Sequence, residues 1–570
     1  MNLLINFVTD ESSWFGRTAK LIQERFKSHN KNFESDLETE QQYKERWRSI
    51  YIIYFTMFLI SLGFSIIVTG VWPYLDKLDP TAGKEFMGYI VAANPFGQML
   101  FSPLVGWWSN RLGSIRIPLL ASLALFTTTS IIYSSLELFD EHRKHWMLWT
   151  RFLVGVSSAN IAACRSYLSA ATRVSERTKA VSMISLAQVL GFIVGPAIQA
   201  AVVPLGDDGF WLIPHKLKLN MYTASGWINV IFSLFNMYLF LPHVFKEHKI
   251  AGREAMLKQG KNNEKDTWKQ HRPNYFATWT LIVAFFVIVF NFMLLETLGT
   301  PLTMDQFAWS KADSLKYMGI LMSVGAVLAI ITFASISPLC KKFSEVKVMI
   351  WGGFLFMVLG RAIYIPFNND PPIMYDSELK LNMTLICDKV LYNRPNNEYD
   401  FNLNETIWNL NKNSLDEVAV KNLTFNCGED LLGCPSSQEW CSFTPAITLT
   451  QFIIGYFLTA FGYPIGVTLI QTIFSKLLGP RPQGVWMGLM TGSGCLSRVM
   501  GPVFVTHIYE EFGTVWTFGL TAVMMVLCLL WLLYFNKTLI PVEIILEPEG
   551  QELKEIHLVR VPLSEKVEDD

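Results

Sequence analysis

Apolar residues in this chain come in long, charge-poor runs separated by polar stretches. A helix needs about 20 mostly apolar residues to cross the roughly 30 Å hydrocarbon core of a bilayer. Runs of that kind at 49–72, 86–108, 117–136, 146–167, 180–203, 221–242, 275–295, 317–340, 348–367, 445–472, 484–507 and 513–535 predict twelve transmembrane helices. The polar segments divide them. An N-terminal segment, 1–48, precedes a first six-helix half, 49–245, and a basic loop, 246–274, leads to a second half, 275–536. That second half is interrupted by a polar insert at 368–443, and a tail, 537–570, closes the chain. The apolar stretch Leu3 to Val8 is too short for a signal-peptide core, so entry through the first transmembrane helix is expected.

Composition sharpens this picture. Half the chain (51%) is hydrophobic and 17% is charged, against about 25% charged in soluble domains. A net charge of -1 excludes a strongly basic nucleic-acid binder. Placement of the charges then sets orientation. The connections 2–3, 4–5, 8–9 and 10–11 hold ten basic residues, and their only acids are Glu176 and Glu345. By the positive-inside rule these loops, and with them both termini, are expected in the cytosol.

That topology puts the 368–443 insert on the other, lumenal side. The insert carries three Asn-x-Ser/Thr acceptors, at Asn382, Asn404 and Asn422, and four cysteines, Cys387, Cys427, Cys434 and Cys441. Glycosylation and disulfides both belong to oxidising, non-cytosolic compartments. Four cysteines allow three pairings, and free thiols are the alternative.

The two halves share signals. Ser102-Pro103-Leu104 ends the second span before basic residues, and Ser337-Pro338-Leu339 ends the eighth. The fifth span holds Gly191-x-x-x-Gly195-Pro196 and the eleventh Ser497-x-x-x-Gly501-Pro502. Small residues four apart let helix backbones approach closely. Such pairs at matching positions point to an internal duplication of the kind transporters build around a midplane site.

Three further patterns carry a resemblance. The 2–3 loop reads Gly106-Trp107-Trp108-Ser109-Asn110-Arg111-Leu112-Gly113, the fourth span has Arg151-x-x-x-Gly155, and the fifth has the Gly-Pro pattern above. Together these resemble the signature motifs of the major facilitator superfamily. Three positions depart from its pattern: Asn110 stands where Asp is usual, Val154 where Gln is common, and Gln199 where Gly is usual. Further stretches are similar to a lysosomal subgroup of that family, the one linked to neuronal ceroid lipofuscinosis. They include Tyr43-Lys44-Glu45-Arg46-Trp47-Arg48, Trp72-Pro73-Tyr74-Leu75, Thr300-Pro301-Leu302-Thr303-Met304-Asp305 and Leu478-Gly479-Pro480-Arg481-Pro482-Gln483-Gly484. The resemblance covers about residues 40–540. It implies an all-α major facilitator fold with two pseudo-symmetric six-helix halves, a late endosomal or lysosomal membrane, and solute transport, with chloride conduction as an alternative activity. Lysosomal location rests on the resemblance, because neither tail holds an acidic dileucine sorting signal.

Five charged residues fall within the spans: Arg151, Arg165, Glu296, Arg361 and Arg498. Each costs about 2.5–3.5 kcal/mol at mid-helix even on the lenient insertion scale, so function is the first hypothesis for each. Arg165 and Arg361 lie near span ends, where snorkelling to the interface is the competing reading. Glu296 closes the seventh span at its lumenal edge, where it is either a helix-end charge or a gate and proton carrier. His507 is a second, more distant candidate relay. The resemblance puts Arg151 near the solute path, and Arg498 sits near the middle of the eleventh span. Gln188 is a polar candidate for solute contact, with interhelical hydrogen bonding as its alternative. Four arginines against a single acid within the spans favour an anionic solute over a cationic one.

No zinc-type His/Cys cluster, phosphate-cradling loop or nucleophile elbow stands in the right context. An enzyme is therefore not expected, nor a cofactor or metal. The expected partners are the lipid bilayer and a small-molecule or ion substrate. A non-transporting scaffold acting through the lumenal insert is the remaining alternative.

Overall fold

The computed structural model describes residues 37–540 apart from 376–431 and short breaks at 80–82, 140, 207–208, 214–216, 261–262, 265–266, 268–272 and 368–369. The protein is a bundle of twelve membrane-crossing segments. In the first half these are α1 (Glu40–Leu78), α2 (Gly83–Leu112), α3 (Arg116–Ser134), α4 (Arg143–Ser158) continued by α5 (Asn160–Ala171), α6 (Val174–Val202) and α7 (Thr223–Leu239). A short helix, α8 (Ile250–Gln259), lies in the connection between the halves. The second half contains α9 (Tyr275–Phe307), α10 (Lys311–Lys342), a π-helical stretch Val348–Phe354 running into α11 (Leu355–Ala362), α12 (Leu449–Leu478) and α13 (Gly484–Tyr534). The predicted eleventh and twelfth spans are the two arms of α13, which reverses at Gly513 with φ 82°. An L side chain rarely adopts that conformation, and a Cβ there would also lie 2.5 Å from the Trp440 ring.

Helix starts follow capping chemistry. Thr39 and Gln42 form a reciprocal capping box at α1, and Thr448 and Gln451 form another at α12. Asn274 and Ser310 cap α9 and α10 with their side-chain oxygens. Each supplies an acceptor to first-turn N–H groups that no intrahelical carbonyl can reach.

The paired small-residue motifs perform matching jobs in the two halves. A Cβ on Gly191 would meet the Phe58 carbonyl oxygen at 2.4 Å, and one on Gly195 would meet Ser65 at 2.6 Å, so α6 lies directly against α1. The Ser65 hydroxyl donates to the Phe192 carbonyl at 3.0 Å across this contact. In the second half the Ser497 hydroxyl donates to the Phe286 carbonyl at 2.9 Å, and Gly501 faces Met293, joining α13 to α9. Gly155 brings α4 against α2, where its Cβ would fall 2.0 Å from the Asn94 carbonyl oxygen. Pro196 and Pro502 follow these contacts inside their helices.

The face carrying the basic loops is tied down by buried ion pairs. Arg46, fully buried, pairs with Glu38 at 2.7 Å and Glu176 at 3.0 Å and donates to the Ala171 carbonyl. Arg173 also reaches Glu38, at 2.8 Å. Burial alone would raise the Glu38 pKa, but hydrogen bonds and charge from the two arginines outweigh it and hold the carboxyl below its ordinary value. Glu247 accepts from the Ser114 hydroxyl and from the Ile115 and Arg116 amides, which fastens the inter-half connection to the start of α3.

On the opposite face, the described ends of the polar insert close on each other. Strands β1 (Met374–Tyr375) and β2 (Cys434–Pro435) pair in parallel, and Cys434 forms a disulfide with Cys441. Between those cysteines Trp440 is buried against Tyr509 of α13. Cys387, Cys427 and the acceptors Asn382, Asn404 and Asn422 lie outside the described residues.

Candidate functional site

The basic face is where the two halves meet. A Cβ on Gly106 of α2 would stand 2.1 Å from the carbonyl oxygen of Gly484 on α13, so only two glycines permit this contact. The Gly484 amide donates to Asn110 Oδ1 at 2.9 Å. An amide oxygen accepts that bond as a carboxylate would, which is how Asn serves in the expected Asp position. Arg111 stacks over the Trp107 ring at 5.4 Å, and Gly113 turns the loop with φ 65°.

A second set of bonds across the halves lies beside this one. Arg177 donates to the Ser475 carbonyl at 3.3 Å, and the Ser475 hydroxyl donates to Ser169 at 2.7 Å. The Thr178 hydroxyl donates to Glu345, which also receives Lys476 Nζ at 2.8 Å. All three are buried.

Away from that face the α2–α13 seam loosens. A Cβ on Gly488 would sit 2.5 Å from the Ser102 carbonyl oxygen, and one on Gly492 would sit 3.3 Å from that of Met99. Farther along, Met500 and Val503 are exposed. The halves are therefore sealed at the basic face and part toward the opposite one.

Charged and polar side chains gather above the seal. Arg165 of α5 donates to Gln188 of α6 at 3.2 Å. From the other half, Arg498 of α13 lies within electrostatic reach of Arg165, of Glu296 on α9 and of the Tyr463 hydroxyl of α12. Tyr463 is fixed by stacking on Phe292, ring centroids 3.9 Å apart. Arg498, Arg165, Gln188 and Tyr463 are half-buried and Glu296 is exposed, although each contacts residues of other helices. Arg165 and Arg498 thus bring charge from the two halves to within electrostatic reach of each other. Arg498 stands fourteen residues beyond the start of α13, about 21 Å along the axis.

Several sequence expectations change here. Glu296 is not a helix-end charge: α9 runs on to Phe307, through Pro301, and Glu296 lies well inside it. Neighbouring helices can satisfy the backbone groups that an intramembrane proline frees. Arg361 does not snorkel; it is fully buried and donates to the Asn291 carbonyl. Arg165 turns inward to Gln188 rather than outward to an interface. Arg151 takes a different place from Arg498. It is 2% exposed, its guanidinium lies 5.7 Å from the Phe64 ring centroid, and its Nε and Nη1 atoms have no hydrogen-bond partner. The sequence reading missed Asp305, which extends the last turn of α9 and accepts the Tyr509 hydroxyl at 2.9 Å.

Two six-helix halves sealed at one end, with charge gathered between them, define a secondary transporter. The chain belongs to the Major Facilitator Superfamily, whose family model matches residues 53–377 and 437–565. It is a multi-pass membrane transporter of that superfamily and not an enzyme. It is 36% identical over 510 residues to Major facilitator superfamily domain-containing protein 8 of Xenopus laevis, covering 89% of this chain and 94% of that protein. Among solved structures it shares its fold with the human organic anion transporter MFSD10 (TM-score 0.54, 14% identity, 85% of this chain and 99% of that one). The proton:xylose symporter XylE is also similar (TM-score 0.55, 12% identity, 86% and 96%).

Proposed function

We propose that this protein moves a small organic anion across a lysosomal or late endosomal membrane by alternating access, with both termini in the cytosol. One observation carries the reading: Arg165 from the first half and Arg498 from the second lie within electrostatic reach of each other above the sealed face, and a single carboxylate, Glu296, lies within reach of Arg498. Two guanidinium groups against one carboxylate leave a net positive charge, and guanidinium matches the planar geometry of an oxyanion. Gln188 orients Arg165. Arg151, with unpartnered N–H groups in the first half, supplies further donors along the path. The solved human relative with this fold is named an organic anion transporter, which agrees with the charge balance. The lysosomal assignment draws on the subgroup resemblance.

In this mechanism the anion enters from the lumenal side, bridges the halves through Arg165 and Arg498, and displaces Glu296 as the counter-charge of Arg498. Drawing the halves together there strains the opposite seam, whose bonds (Asn110 with Gly484, Arg177 with Ser475, Thr178 with Glu345) then open. Protonation of Glu296 in an acidic lumen favours loading by removing the competing carboxylate.

Uptake of a panel of labelled organic anions into proteoliposomes tests this. Saturable uptake with counterflow is expected, rising as the side facing Glu296 is acidified, with Glu296→Gln abolishing the pH dependence. Unsaturating conductance that follows the electrochemical gradient would instead mean a channel. Unchanged pH dependence in Glu296→Gln would remove the carboxylate from the mechanism.

A further inference from the structure

A cavity of about 790 Å³ opens on the outside of the first half, between α1, α6 and α7, at the level of the basic face. It is separate from the space between the halves. Its rim is cationic, from Lys44 and Arg48 one turn apart on α1 and Lys179 on α6. Lys44 pairs with Glu40 in an exposed contact. Arg48 and Lys179 have no ion-pair partner among the described residues. Below the rim the wall is apolar, formed by Phe55, Met183 and Phe235, all of which are exposed. Two polar atoms on the lining are buried without a hydrogen-bond partner: Tyr54 Oη, on a side chain only 8% exposed, and Trp47 Nε1. Leaving a buried donor unpaired costs about 1–3 kcal/mol. Both are donors, and an anionic oxygen would satisfy them.

Unpaired cations at headgroup depth, orphaned donors just beneath, and an apolar wall running toward the membrane centre match one ligand class. We infer that this cavity holds an anionic glycerophospholipid of the cytosolic leaflet, its phosphate at Arg48, Lys179 and Lys44 and an acyl chain along Phe55 and Phe235. The leaflet follows from the positive-inside reading, and basic pockets between helices on that side are suited to phosphorylated headgroups. The apolar wall selects lipid over a free anion, since a soluble phosphate would leave it wet.

Native mass spectrometry of the full-length protein in detergent tests the assignment. Phosphatidylserine, phosphatidylinositol 4-phosphate, phosphatidylcholine and soluble inositol 1,4-bisphosphate would be added separately. The anionic lipids are expected to be retained at least tenfold over phosphatidylcholine. Each basic residue contributes on the order of fivefold, so K44Q/R48Q/K179Q should lose about a hundredfold. A control, K341Q/K342Q on the same face, should retain them. If the triple variant does not fold, R48Q alone carries the test at about fivefold. Equal retention of phosphatidylcholine, equal loss in the control, or soluble inositol bisphosphate binding as tightly as the lipids would each overturn the proposal.

Discussion

The two halves of this transporter use the same joint and differ in what they do with charge. In each, a small-residue helix lies against the half's leading helix, and a serine hydroxyl crosses to a carbonyl: Ser65 to Phe192 in the first, Ser497 to Phe286 in the second. Each half buries an arginine beside an aromatic ring, Arg151 near Phe64 and Arg361 near Tyr364, and each holds a half-buried one, Arg165 or Arg498, yet only the second sets a carboxylate, Glu296, beside its accessible arginine. Duplication preserved the packing chemistry because backbone contact tolerates few side chains. The charges were free to diverge, and the carboxylate Glu296 has no counterpart beside Arg165 in the first half.

The largest expected consequence of that difference is in transport. Arg498→Met should reduce the uptake rate at least tenfold, the worth of one charge-assisted hydrogen bond of about 1.5–3 kcal/mol, while leaving the melting temperature of the detergent-solubilised protein nearly unchanged. Arg151→Met should reduce uptake less and raise thermal stability, because it replaces a desolvated, under-bonded guanidinium with an apolar side chain. Equal losses of uptake from the two substitutions would break the contrast.

A smaller effect separates the two joints. Gly195→Ala drives a Cβ to 2.6 Å from Ser65, whereas Gly501→Ala brings one to 3.3 Å from the side chain of Met293, which can give. Overpacking should cost about 1–3 kcal/mol in the first case and within about 0.5 kcal/mol in the second, read from thermal unfolding of the two variants.

The smallest expected effect is at the N-terminal clip. Because Glu38 is held below its ordinary value of about 4.3, its contribution is present at neutral pH and is lost as pH falls through the depressed value. Glu38→Gln should therefore lower the melting temperature slightly at pH 7 and converge with the parent once the pH lies below that depressed value. A gap of the same size on both sides of it would remove the ion pair as its cause.

The bundle was largely legible in the sequence, because membrane-crossing runs are written in length and charge. So were the glycines at the joints, whose spacing alone implied close contact. What escaped were the ends and the pairings. The seventh span is expected to close at Glu296, though helix α9 carries the acid onward, through Pro301, to Phe307. Asp305 had no visible partner, since Tyr509 lies two hundred residues away in the chain and only folding brings them together. One signal was present and went unread. Glu176 and Glu345 were the two acids in otherwise basic loops, and both serve as acceptors there: Glu176 for Arg46, Glu345 for Lys476 and Thr178. An exception to a charge rule marked a buried bond.

The paired strands β1 and β2 at the base of the insert carry a final consequence. They bring Tyr375 and Cys434 to one point on the bundle, whatever runs between them. The length of that intervening segment is thereby uncoupled from helix packing, and doubling it would cost only about 0.6 kcal/mol of closure entropy. A reporter domain spliced there, with its own ends close together, should leave the twelve-helix body and its traffic in solute undisturbed.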